Sequence, residues 1–273
     1  MSHLHRHLAP ISAEAWEQIE EEAKRTLKTT LAARKLIDFD GPKGWGKSAV
    51  ATGRVKSIEP APRAGVTAAV RQLLPLIELR AVFELSRTEL DAVDRGAENP
   101  DLDPVIAASK QIALAEDGAI FHGYAAGNIA GIVEEAPGGP IAITSNYEDY
   151  PVAVANAITR LRNAGVDGPY AIALGQQCYT GLTDTTKGGY PVIQHVRRLV
   201  DGPIVYAPAV DGAVVLSMRG GDFKITVGED FSIGYLDHTA KTVTLYLEES
   251  FTFQVLSPQA AVRLAYSEGG KKK

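Results

Sequence analysis

Cysteine is nearly absent from this chain of 273 residues: Cys178 stands alone, so no disulfide can form within it. Long apolar runs are missing too. None approaches the ~20 residues that a membrane-crossing helix needs. The opening MSHLHRHLAP has no apolar core of the kind a secretory leader carries. An excess of basic charge is also lacking. Lys and Arg number 28 against 33 acidic residues, a net charge of −5, which argues against a protein held to nucleic acid by bulk charge. These absences favour the cytoplasm. Internal repeats and low-complexity tracts are not seen. What remains is 45% hydrophobic and 22% charged, the makeup of an ordered protein with one large domain or two modest ones.

The most informative stretch that is present lies near the C-terminus. From Thr242 to Leu256 the residues alternate. Val243, Leu245, Leu247, Phe251, Phe253 and Val255 fall on one face, with only Glu249 breaking the row. Period two predicts a strand with one buried face. At about 3.3 Å per residue it reaches roughly 45 Å, against a usual ~17–20 Å. A compact enzyme core rarely needs so long a strand, whereas a flat, extended subunit of a shell does.

Elsewhere the chain reads as mixed helix and strand, an α+β fold. Ser12 caps a helix starting near Ala13, whose stripe is Trp16, Ile19, Ala23, Leu27 and Leu31. Residues 48–58 and 70–79 read as two strands around a turn marked by Pro60, Pro62 and Gly65. This hairpin has little core of its own and needs a partner to pack on. Asp103-Pro104 opens a strong helix with Val105, Ala108, Ile112, Ala115 and Ala119 on its main face. A second helix is expected from Tyr150 to Ala164, then a strand from Tyr170 to Leu174, a helix from about Gln177, and a helix over Val192–Val200. Short strands are expected around Ile204 and Val214. The tail, residues 268–273, reads as a solvated end.

Several motifs compete for a chemical role. Gly41-Pro42-Lys43-Gly44-Trp45-Gly46-Lys47-Ser48 matches the phosphate-binding pattern GxxxxGK[ST] letter for letter. That pattern needs a helix to follow, whose N-terminus holds the anion. Here Ala49 to Ile58 reads as strand, so a P-loop ATPase ranks last among the readings. His3, His5 and His7 alternate and could share one side of a zinc or nickel site, but a mobile, solvated terminus is the expectation. Cys178 with His195 raises a thiol nucleophile; a buried packing cysteine is the plainer reading. Glu116-Asp117 are adjacent on a helix, about 100° apart, so they do not form a shared-proton dyad. They are expected at an interface or in solvent. No catalytic residue, metal or cofactor is assigned.

Taken together, short motifs spread over residues 4–266 resemble a family-1 encapsulin, a nanocompartment shell protein with the HK97-type phage capsid fold. They are Leu8-Ala9-Pro10 with Trp16; Arg34-Lys35-Leu36-Ile37-Asp38 before Gly41-Pro42 and Gly44-Trp45; and Pro75-Leu76-Ile77-Glu78-Leu79-Arg80. Further along come Glu116-Asp117 with Ile120-Phe121-His122-Gly123, Gly168-Pro169-Tyr170, Gly189-Tyr190-Pro191, Arg219 through Phe223, and Gly228 through Tyr235. The resemblance implies a P domain from residues 1–45, 80–130 and 222–267, an E-loop at 46–79 and an A domain at 131–221. It implies self-assembly into an icosahedral shell of about sixty copies or a small multiple. The shell encloses a cargo enzyme, a ferritin-like iron oxidase or a dye-decolorizing peroxidase, which docks by a short targeting peptide. Carried onto this chain, the docking groove takes Leu27, Leu31, Arg34 and Asp38 on one side and Asp230, Phe231 and Ile233 on the other. The loop Thr183, Asp184, Thr185, Thr186, Lys187, Gly188, Gly189 and Tyr190 is implied to ring a five-fold pore. The N-terminus is implied to face the interior. A prophage major capsid protein shares this fold. Such proteins usually bring a scaffolding segment before the N-terminal arm, and this chain begins directly at its first helix.

Overall fold

A computed structural model of the chain describes residues 3–267; the tail at 268–273 lies outside the described residues. Helix α1 (Ala13–Thr30) begins where Ser12 accepts a hydrogen bond from the backbone N–H of Ala15, the cap the sequence predicts. Ile19, Ala23 and Leu27 then face inward. Strand β1 (Asp38–Asp40) follows, then the pair β2 (Ala49–Ile58) and β3 (Ala68–Pro75), then β4 (Ile77–Ser86). Helices α2 (Arg87–Asp94), α3 (Asp103–His122) and α4 (Ile132–Glu135) come next. The middle of the chain holds β5 (Ile141–Ile143), α5 (Tyr150–Asn163), β6 (Tyr170–Leu174), α6 (Gln176–Asp184), β7 (Thr186–Lys187), β8 (Tyr190–Pro191), α7 (Val192–Arg197) and β9 (Ile204–Tyr206). From Ala213 on come five strands, with one 3-10 turn at Pro258–Ala260 before the last: β10 (Ala213–Ser217), β11 (Phe223–Val227), β12 (Ser232–His238), β13 (Thr242–Val255) and β14 (Ala261–Tyr266).

Two five-stranded sheets organise these elements. The first is built around β13, whose 14 residues give pairing sites to three partner strands. β4 pairs with it from Thr242 to Phe251, β12 along Val243–Glu248, and β11 along Phe251–Val255. β1 extends this sheet in parallel beyond β11. Helices α1, α2 and the first half of α3 cover one face, packing Ile19, Leu27, Leu90, Val105 and Ile112 against Leu245 and Leu247. The second sheet runs β5-β14-β10-β6-β9, with α5, α6 and α7 around it. β6 and β10 are buried at every residue, as central strands covered on both faces are.

Four expectations need correction. β13 is not buried on one face only: Tyr246, Glu248, Ser250 and Thr252, on its polar side, are buried as well. The N-terminal segment helps cover that side, with His3 Nε2 2.9 Å from Glu248 Oε1 and its ring stacked on Trp45 at 3.9 Å. His3 is therefore held, not mobile and solvated; His5 and His7 are exposed. The single returning strand expected over Val70–Leu79 is two strands. Pro75 has no N–H to give the ladder and ends β3, and β4 leaves the hairpin to join the first sheet. Ala115 of the α3 stripe is exposed, whereas Glu116 and Asp117 are fully buried. β14 pairs with β10 in the second sheet.

β2 and β3 form a two-stranded sheet of their own. Val55 and Leu73 on it are 67% and 54% exposed, and Ile58, Val66 and Val70 are exposed beside them.

Candidate functional site

α1 lies over the first sheet and leaves a groove of about 540 Å³ between itself and the Asp230–Ile233 segment. Leu27, Asp230, Phe231 and Ile233, four of the residues the resemblance assigned, line it together. Leu31 is buried at the end of α1 and is not among the lining residues. Asp38 is elsewhere: its carboxylate accepts the Gly221 N–H at 2.6 Å, where β1 meets the start of β11. Sequence reasoning missed the rest of the lining. Ala23 and Leu247 extend the apolar floor, and Glu20, Lys24, Lys28 and Arg6 form a charged rim. Ala23 was legible as the residue one turn before Leu27, and Leu247 as the inward neighbour of Leu245. Leu4 enters the lining because its carbonyl accepts the Tyr235 N–H at 2.8 Å and so ties the N-terminal segment along β12.

Arg34 sits beneath the groove, not on its rim. Its Nε lies 2.9 and 2.8 Å from the two Glu116 oxygens, and its Nη2 2.5 Å from Glu116 Oε2 and 3.0 Å from Glu249 Oε2. Nη1 donates to Asp230 Oδ1 at 2.7 Å. The guanidinium also lies 4.5 Å from the Phe231 ring centroid, a cation–π contact that seats the groove's aromatic floor. Burial pulls the Arg34 pKa down, and the Glu116, Glu249 and Asp230 carboxylates more than reverse it, so Arg34 stays charged. Burial, then the nearby Glu116 carboxylate, pushes Glu249 well above the usual carboxylate range, against the pull of Arg34. Among the described residues Glu249 Oε1 has no hydrogen-bond partner. Glu249, the one interruption in the apolar row of β13, is thus the buried counterpart of Arg34.

Asp117 does a different job. Its two oxygens accept the backbone N–H groups of Ala32 and Ala33 at 2.8 and 2.9 Å, fixing the chain where α1 gives way to the Arg34 turn. Burial raises its pKa to about 7, although those two hydrogen bonds oppose the shift. The expectation of solvated or inter-subunit carboxylates at 116–117 is therefore replaced by two internal anchors.

The loop at 183–190 is a small hairpin. Thr183 and Asp184 close α6, Thr185 follows, and β7 pairs with β8 across Gly188-Gly189. Both glycines have positive φ, 60° and 83°, as a two-residue I′ turn requires. Lys187 Nζ donates to the Glu148 carbonyl at 2.8 Å, and Tyr190 is 63% exposed. Cys178 is buried, with Sγ 3.2 Å from the Tyr266 hydroxyl; burial raises its pKa, the reverse of an activated thiol. His195 lies apart from it, its Nε2 3.1 Å from the Lys187 carbonyl.

The 41–48 motif is not a phosphate cradle. The Lys43 and Gly44 N–H groups donate to the carbonyls of Val227 and Gly228 at 2.9 and 2.7 Å, so they do not face an open anion site. β2, not a helix, follows.

A family model described as "Encapsulating protein for peroxidase" (Linocin_M18) matches residues 1–252. The chain belongs to the encapsulin shell-protein family. It is 54% identical over 270 residues to the type 1 encapsulin shell protein of Rhodospirillum rubrum, covering 97% of this chain and 96% of that one. Identity to the type 1 encapsulin shell protein of Mycobacterium tuberculosis is 43% over 266 residues, covering 97% and 100%. Among solved structures, the virus-like particle of Pyrococcus furiosus superposes with a TM-score of 0.66 at 15% identity, over 92% of this chain and 99% of that one. The Gordonia phage Cozz protein gives 0.54 at 16% identity, over 85% of each chain. These two likenesses show the HK97-type capsid fold shared by encapsulins and phage shells. Among the described residues no helix is long and apolar enough to cross a membrane.

Proposed function

We propose that this encapsulin shell protein works as a container and not as a catalyst, closing in the cytoplasm into an icosahedral particle of about sixty subunits or a small multiple. The observation that carries the assembly reading is the β2–β3 hairpin. It exposes Val55, Ile58, Val66, Val70 and Leu73 and, among the described residues, pairs with no other strand. A two-stranded sheet is marginal in water. Lying on a neighbouring subunit removes that apolar surface from solvent, and closed symmetry repeats the contact at every subunit. In this reading the hairpin is the E-loop. The β13 sheet with α1 and α3 is the P domain. The β10 sheet with α5–α7 is the A domain, and its 183–190 hairpin rims the five-fold pore.

Cargo is the second part of the proposal. The groove lined by Leu27, Phe231 and Ile233 receives a short targeting peptide of an enzyme, a peroxidase by the family's description or a ferritin-like iron oxidase. Its apolar floor supports this: a few anchors in a concave apolar site carry most of a peptide's affinity. Deleting residues 50–72 tests the assembly reading. The expected outcome is a folded subunit, by circular dichroism, that no longer gives closed particles in electron micrographs. Normal shells from the deletion would refute the role given to the hairpin.

A further inference from the structure

Cys178, buried beside the second sheet, is the inner end of a chain of hydrogen bonds that runs to the surface. Its Sγ lies 3.2 Å from the Tyr266 hydroxyl, and that hydroxyl lies 3.1 Å from the Tyr147 hydroxyl. Tyr147 in turn donates to the Gln177 carbonyl at 3.2 Å. Tyr147 is half-buried and lines an opening of about 500 Å³ with Gln176, Gln177 and Thr180. Its ring is seated directly on α6, where a Cβ at Gly181 would come within 2.1 Å of it.

The outermost bond sets the direction of the others. A phenol has one O–H to give, and Tyr147 gives its own to Gln177. Tyr266 is therefore the donor to Tyr147. That uses the Tyr266 proton, so the Cys178 S–H is the donor to Tyr266. Burial raises the Cys178 pKa, so the thiol keeps this proton. Beyond Cys178 the chain stops. The Tyr150 hydroxyl beside it is buried and has no hydrogen-bond partner among the described residues.

We propose that Tyr147, Tyr266 and Cys178 form a relay that carries one oxidising equivalent from the surface to the buried thiol. The oxidant is a small one-electron radical of the carbonate-radical class. It takes an electron and the O–H proton from Tyr147 and leaves as bicarbonate. Tyr266 passes its hydroxyl hydrogen atom to the Tyr147 oxygen. Cys178 then passes its S–H hydrogen atom to the Tyr266 oxygen. Both phenols are restored, and the unpaired electron rests on the Cys178 sulfur. Phenolic O–H and thiol S–H bonds are of similar strength, so no step is steeply uphill. Dioxygen adds to the thiyl radical and carries the sulfur up the oxidation ladder. The damage thus falls on one internal thiol and not on a surface phenol.

The test exposes assembled shells, in air, to carbonate radicals released by flash photolysis of a cobalt(III) carbonate complex. The shells are then unfolded in guanidinium and titrated for free thiol. Cys178 is the one cysteine, so the titration reads this site alone. Each rate is taken relative to alkylation of the folded shells by iodoacetamide, which corrects for access to the thiol. Wild-type shells should lose the thiol. Tyr266→Phe keeps the ring but removes the middle link, and should lose it severalfold more slowly; Tyr147→Phe should do the same. Equal relative rates in wild type and both variants overturn the relay. So does a thiol that survives in wild-type shells while their tyrosines are oxidised.

Discussion

Arg34→Ala is the perturbation that examines the buried cluster most directly. The resemblance puts Arg34 on one side of the docking groove. The structure says otherwise, because Arg34 is the cation facing two fully buried carboxyls, Glu116 and Glu249. Removing one partner of a buried ion pair costs about 3–5 kcal/mol, since the charge left behind has neither water nor a counterion. Against a typical total of about 5–15 kcal/mol, that removes about a fifth of the stability or more. The pH dependence has a definite sign. Burial and the Glu116 carboxylate raise the Glu249 pKa well above the usual carboxylate range in the folded state, whereas a free Glu loses its proton near pH 4.3. A group whose folded pKa is raised in this way makes stability fall as pH rises from the unfolded value to the folded one. Arg34 pulls the Glu249 pKa down against burial and Glu116, so its removal raises that pKa further and steepens the fall. The loss should therefore be about 1–2 kcal/mol smaller near pH 5 than near pH 8. Urea unfolding followed by the fluorescence of Trp16 and Trp45 measures both. Adding Glu116→Gln and Glu249→Gln should recover much of the loss. A stability within about 0.5 kcal/mol of wild type at both pH values, or a loss independent of pH, would refute the argument.

Other outcomes follow from the same geometry. Phe231→Asp puts a carboxylate on the apolar floor of the groove, and shells should assemble but come out empty when co-expressed with cargo; wild-type loading would move the docking site elsewhere. Lys47→Ala should leave assembly and loading unchanged, because the N–H groups of Lys43 and Gly44 are spent on Val227 and Gly228; calorimetric ATP binding that this change removes would revive the nucleotide reading. Asp117→Ala strips the Ala32 and Ala33 N–H groups of their acceptor and should cost about 2–4 kcal/mol. Asp117→Asn should flatten the fall in stability between about pH 4 and pH 7, since the raised carboxyl pKa that causes it is gone; an unchanged slope would show that another group titrates there.

Local pattern alone determined much of this protein. The Ser12 cap, the α1 stripe, the Tyr170–Leu174 strand and the length of β13 were all legible, because caps and periodicity act over a few residues. The coreless hairpin was legible for the same reason: its apolar residues are too few and too scattered to bury one another. Motif order over the chain pointed to the shell fold and to Phe231 and Ile233 in the groove. Tertiary structure alone decided the rest. Nothing local says that Glu249 meets Arg34, 215 positions away in the chain, or that Asp117 reaches back 85 positions to cap Ala32. Nor does it say that Asp38 turns toward Gly221. A charged residue reads from sequence as solvated until the fold puts a partner beside it. Burial belongs to the surroundings of a side chain, and only the packing of α1, α3 and β13 supplies those surroundings.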